Sequence, residues 1–169
     1  MPYVSVVCFV GQGCLCENNR SDVKNCVIGL GKCITRLPTE NELAALVNAG
    51  YAPLNMTCYN KMTLNGVRYE CINEEKTKFC NSTVFGGNEI FGNITTKVNF
   101  HHNNEAISGI IIQRMRLVNR AFETEYINEE TISDEIIFIK ESEFIKPATQ
   151  ILTSSQLYVI KQTNCWETD

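Results

Sequence analysis

Cysteine placement constrains this chain more than any other feature of its sequence. Cys8, Cys14, Cys16, Cys26, Cys33, Cys58, Cys71 and Cys80 all lie in the first 80 residues, and the ninth, Cys165, stands close to the end. That density is typical of a small secreted domain that supplements a thin hydrophobic core with disulfides. In a reducing compartment the same count points to metal ligands. The stretch KNCVIGLGKCITRL (24–37) poses the choice locally. A phosphate loop needs Gly-x4-Gly-Lys-Ser/Thr, whose backbone amides cradle phosphate and whose hydroxyl meets magnesium. Here Gly31-Lys32 runs into Cys33, and Cys26 takes the place of the first glycine, so a nucleotide site is set aside. Zinc favours close Cys-x2-Cys pairs. The spacings Cys14-x-Cys16, Cys26-x6-Cys33 and Cys71-x8-Cys80 all miss that knuckle, and adjacent His101 and His102 point apart on a strand. The expectation is a disulfide framework with no metal and no cofactor. An intracellular zinc or thiol protein is the alternative.

The remaining totals narrow the function classes. A net charge of −4 and a pI near 5.3 argue against nucleic acid, whose phosphates need a basic face. No apolar run is long enough for a membrane span. The opening YVSVVCFV is short and lacks a basic flank, so it reads as a first strand rather than a signal peptide. Sequons at Asn19, Asn55, Asn81 and Asn93 point to a glycosylated, extracellular or secreted protein whose leader is not visible in this chain. Catalysis has little to build on. The two histidines sit side by side in an Asn-rich stretch, and Glu129-Glu130, Asp134-Glu135 and Glu141/Glu143 read as solvated carboxylates near strand ends. No catalytic residue is expected.

Glycines cluster in FGGNEIFGN (85–93), where the cysteine-rich composition stops, so a boundary is placed there between a domain at 3–84 and a segment at 94–169. In the first part, 3–10, 32–37 and 67–71 read as strands, with turns at Asn65-Gly66 and around Gly29–Gly31. Thr39 precedes Glu42 by three residues, a capping box, and opens a helix that Asn48 or Gly50 ends. In the second part, Ile107, Ile111, Met115, Val118 and Phe122 keep helical spacing over about 104–124. EIIFIK and QLYVIK then read as two strands that pair across a loop at Pro147. The fold class expected is a small disulfide-rich β domain followed by a small α+β segment.

The run NC(26)VIGLGKC(33)ITRL, the later GVRYEC(71) and the closing FC(80)N resemble the extracellular three-finger domain of snake toxins and of activin/TGF-β receptors, nearest to the type I receptors. The resemblance covers less than half the chain. It implies the pairing Cys8–Cys33, Cys14–Cys16, Cys26–Cys58 and Cys71–Cys80. The family carries an adjacent cysteine pair before its final Cys-Asn where this chain has Cys71 alone, and the receptors' membrane span and kinase are not visible here. A three-finger domain does no chemistry; it binds a protein ligand or receptor. The resemblance implies a dimeric growth factor as ligand, with a toxin-like modulator of a membrane receptor as the alternative. Leu30, Ile34, Leu37, Tyr51 and Met62 are the candidate binding residues, while Leu43, Leu46 and Val47 are expected to pack inward. Cys165 is left over, to pair between chains as a dimer or to stay free.

Overall fold

The computed structural model describes residues 27–64, 67–72, 82–86, 90–121, 127–143 and 145–161. Val, Ile and Thr recur through these stretches, and their stiff branched side chains suit the pleated strand better than the helix. The elements are β1 (Val27–Arg36), α1 (Glu40–Asn48), β2 (Met56–Leu64), β3 (Val67–Glu70), β4 (Thr83–Gly86), β5 (Ile90–His102), β6 (Glu105–Arg120), β7 (Ile127–Lys140), β8 (Ile145–Leu152) and β9 (Leu157–Lys161). All the strand pairings are antiparallel.

The pairings close on themselves. β4 pairs β5, β5 pairs β6, β6 pairs β7, β7 pairs β9, β9 pairs β8, and β8 returns to β4. These six strands therefore form a closed barrel, which removes the exposed edges an open sheet would carry. The long strand β5 is the branch point. One edge pairs with β6 along most of its length. The other edge takes β4 at Ile90–Asn93 and β2 at Lys97–Asn99. Through β2 the barrel carries an extension made of β1, β2 and β3. The β5–β6 hairpin turns on Asn103 and Asn104, both at positive φ (50° and 63°), the left-handed pair that matches strand twist in a two-residue loop.

Three clusters make the core. Ile110 and Ile112 of β6 face Met62, Tyr69, Cys71, Val84, Ile94 and Ile139. Ile107 and Ile111, on the opposite face of the same strand, meet Leu46 of α1, Met56, Cys58, Val98, Phe100 and Phe138. Phe91, Met115, Ala148, Leu157 and Val159 fill the barrel beside Phe85. The helix begins as its sequence demands. Thr39 accepts from the Glu42 amide, and the Glu42 carboxylate accepts from the Thr39 amide at 2.8 Å and from Arg36 at 2.6 and 2.7 Å.

The fold expected from the cysteines is corrected. The described residues form an antiparallel β structure with one short helix, and Cys33, Cys58 and Cys71 are free thiols. Cys58 and Cys71 are buried core residues, used as small hydrophobes, and burial pushes the Cys71 thiol up to about 12. The other cysteines lie outside the described residues. The α+β character expected of 94–169 is also corrected: the helix predicted at 104–124 is strand β6 over Glu105–Arg120. Strands on the two sides of the glycine cluster pair with each other, Thr83–Gly86 of β4 with Ile90–Asn93 of β5. Predicted strands at 32–37 and 67–71 lie in β1 and β3, and the capped helix is α1. Around Gly31 (φ 75°) the chain makes an irregularity within β1 rather than a turn. EIIFIK pairs with β6, QLYVIK pairs with β8 and the start of β7, and Pro147 sits inside β8. The segment 3–10 and the Asn65-Gly66 turn lie outside the described residues.

Candidate functional site at the barrel mouth

Side chains alternate along a strand, and directly opposite residues of an antiparallel pair share a face. Burial of Leu157 and Val159 on β9 and of Ala148 on β8 fixes the inward parity of the barrel. Register then carries that face across four strands. Leu117 of β6 pairs with Glu130 of β7, Glu130 with Leu157 of β9, and Leu157 with Leu152 of β8. The row has an unusual exposure profile. Leu117 and Leu152 at its ends are 55% and 75% exposed, whereas Leu157 and Glu130 between them are 7% and 3% exposed. An inward-facing row with exposed ends marks a barrel mouth, with Glu130 and Leu157 buried between them.

A cleft of about 450 Å³ opens there, lined by Glu130 and Ile132 of β7, Gln150 and Leu152 of β8, Leu157 of β9 and the loop joining β8 to β9. The loop is fixed by Thr153, whose backbone amide and hydroxyl both donate to the Gln156 carbonyl. Deeper in the barrel the wall turns polar. The Thr83 hydroxyl donates to Asn93 Oδ1 at 2.8 Å and lies 3.1 Å from Gln150 Oε1.

Glu130 is the chemical centre of this site. Both carboxylate oxygens are buried, and neither accepts a hydrogen bond from any described residue. Burial raises its pKa to about 7, against the opposing pull of Arg114 and Lys161. Arg114 donates to both oxygens of Glu135 at 3.1 Å. Lys161 Nζ stands 5.7 Å above the Phe91 ring. A buried carboxyl with unused acceptors, in a cleft lined by Ile132, Leu152 and Leu157 together with hydroxyl and amide side chains, can hold a donor that enters from solvent.

The residues expected from sequence to bind a partner do not gather into one patch. Ile34 and Leu37 are exposed, at 56% and 68%, and Leu30 is half-buried on the same strand. Met62 is fully buried, and so is Leu46. Tyr51 is half-buried, with its ring edge-on to Phe100, His102 and Phe138. Leu43 and Val47, expected to pack inward, are 39% and 53% exposed. Among the sequons, Asn55 is exposed, but Asn93 is 2% exposed and bonded to Thr83, which leaves no room for a glycan. Asn19 and Asn81 lie outside the described residues. Among the described residues no group of three or more His, Cys, Asp and Glu side chains is placed to hold a metal ion, and no helix is long and apolar enough to cross a membrane. Sequence reasoning missed Glu130 by reading it as solvated surface. The alternation Leu157/Val159 marks an inward face on β9, but the register that brings Glu130 onto that face is not written locally. Comparison with protein-family models, curated proteins and solved structures gives no match.

Proposed function

We propose that this chain is a non-catalytic binding module whose ligand enters the mouth of the barrel. The observation that carries the reading is the row Leu117–Glu130–Leu157–Leu152, with its ends open and its central carboxylate buried and unpaired. Buried polar groups in folded proteins are normally satisfied, so an unsatisfied one beside a cleft is a place for an outside partner. The non-catalytic reading is supported by the rest of the lining. Among the described lining residues, Thr131, Gln150, Thr153, Ser154, Ser155 and Gln156 supply hydroxyls and amides but no second titratable group beside Glu130. The growth-factor ligand rested on the three-finger fold and is not carried forward. Extracellular placement remains part of the proposal, with Asn55 as the exposed described sequon.

A neutral solvatochromic dye such as Nile red tests the site. Saturable binding at one dye per chain is expected, with loss in Leu152→Asp while the circular dichroism spectrum is unchanged. Leu152 is largely exposed, so this substitution leaves the core intact. Absence of binding, or equal binding to the variant, would overturn the reading.

A further inference from the structure

We infer that the barrel mouth is selective for an ammonium group carried on an aliphatic stem, with Glu130 as its counter-ion; this rests on the mouth being a binding site at all. The two halves of such a ligand meet two different parts of the cleft. Ile132 and Leu152, both exposed, line the cleft with aliphatic surface of the kind that covers a methylene chain, and Leu117 stands opposite Glu130 on the neighbouring strand. Beneath them Glu130 offers two buried acceptor oxygens and no donor when ionised. An ammonium is donor-only and opposite in charge, so it suits these acceptors through charge-assisted hydrogen bonds. An alcohol supplies one donor without charge, and a carboxylate ligand would be repelled.

The charged groups around Glu130 have their recorded contacts elsewhere. On β6, Arg114 is engaged by both oxygens of Glu135, and Arg116 reaches the same carboxylate at 3.7 Å. On β9, Lys161 lies over the Phe91 ring. On β8, Lys146 shares the inward parity of Ala148 but pairs with Phe85, at the end of the strand away from Leu152. On β7, the neighbour Glu129 accepts from Gln156 at 3.2 Å. None of these side chains donates a hydrogen bond to Glu130. Binding an ammonium requires the ionised carboxylate, so affinity must follow the titration of Glu130. With that titration near pH 7, the ionised fraction falls about tenfold from pH 8 to pH 6.

Isothermal titration with n-hexylammonium chloride and with n-hexanol tests the selectivity, on the full chain and on Glu130→Gln. The expected result is hexylammonium binding at pH 8, about tenfold weaker at pH 6, and absent in the variant, with hexanol weaker and indifferent to pH. Nα-acetyl-lysine N-methylamide forms a third arm: binding like hexylammonium's assigns the stem to a lysine of a protein partner, and its exclusion assigns it to a free alkylamine. If hexanol and hexylammonium bind equally and without pH dependence, the selectivity is overturned while the mouth survives as a site. If neither binds, the site itself is overturned. The pH series on the unaltered chain keeps the test decisive even if the variant folds poorly.

Discussion

Lys97 and Glu130 are both buried ionisable residues, and the protein treats them oppositely. Lys97 is fully buried, yet its ammonium donates to the Val98 carbonyl at 3.2 Å, to Asn99 Oδ1 and to Ser108 Oγ. Burial still lowers its pKa to about 8, but its donors are spent within the sheet. Glu130 has no such partners, so its charge is a cost that a ligand could relieve. The cost has a definite pH signature. An ordinary carboxyl titrates near 4.5, and Glu130 in the folded chain near 7. Between these values the folded state holds a proton that the unfolded state has lost, so stability falls as pH rises through this window and levels above it. Glu130→Gln removes the titration while keeping the shape. The variant is expected to match the parent near pH 4.5 and to exceed it by about 1–3 kcal/mol at pH 8. Urea unfolding at the two pH values reads the difference; a variant less stable at pH 8 would show that the carboxylate is satisfied after all.

At the scale of the element, β6 shows both what local pattern reveals and where it misleads. Its isoleucines at 107, 110, 111 and 112 are buried on both faces, because the strand runs between two core clusters. A strand covered on both sides loses its clean alternation, and the survivors at 107, 111 and 115 mimic helical spacing. The capping box of α1 was legible because its partners lie three residues apart. The alternation of β9 was legible because one face of it is buried and the other is not. Gly109 marks how tightly β6 is sandwiched. A Cβ built there would fall 2.5 Å from the Phe138 ring and onto the Ile139 carbonyl. The missing side chain therefore lets an aromatic of β7 lie flat over the strand. Gly29 serves the same purpose under the Tyr59 ring, where a Cβ would meet it at 2.6 Å. Gly109→Ala is expected to cost about 1–3 kcal/mol, because the obstacle is backbone and ring rather than a flexible chain end. The check is the urea midpoint; an unchanged midpoint would mean that β7 yields freely at Phe138.

The whole molecule depends on pairings that no local stretch encodes. Val84 opposite Pro147 closes the barrel, and Cys58 opposite Val98 joins the extension to it. Both contacts span long separations, and their register is set by burial of complete faces rather than by turn chemistry. Cysteine density is only composition, so it could not tell buried thiols such as Cys58 and Cys71 from bridges. The same blindness hid the site, since Glu130 becomes buried only when β6, β7, β9 and β8 stand in register. The closed circuit has a consequence for cutting the chain. A fragment of residues 94–169 retains β6 to β9 but loses β4 and the part of β5 that pairs with it. It also loses Met62, Tyr69, Cys71 and Val84 from one cluster and Leu46, Met56 and Cys58 from another. The ring opens at two strands, and β6 loses the apolar cover on both faces. The fragment is therefore expected to lack a cooperative urea transition and to give poorly dispersed amide resonances, whereas the full chain unfolds in a single step. Independent folding of 94–169, with dispersed resonances and its own sigmoidal transition, would instead show that β7, β8 and β9 can close on β6 without the first half.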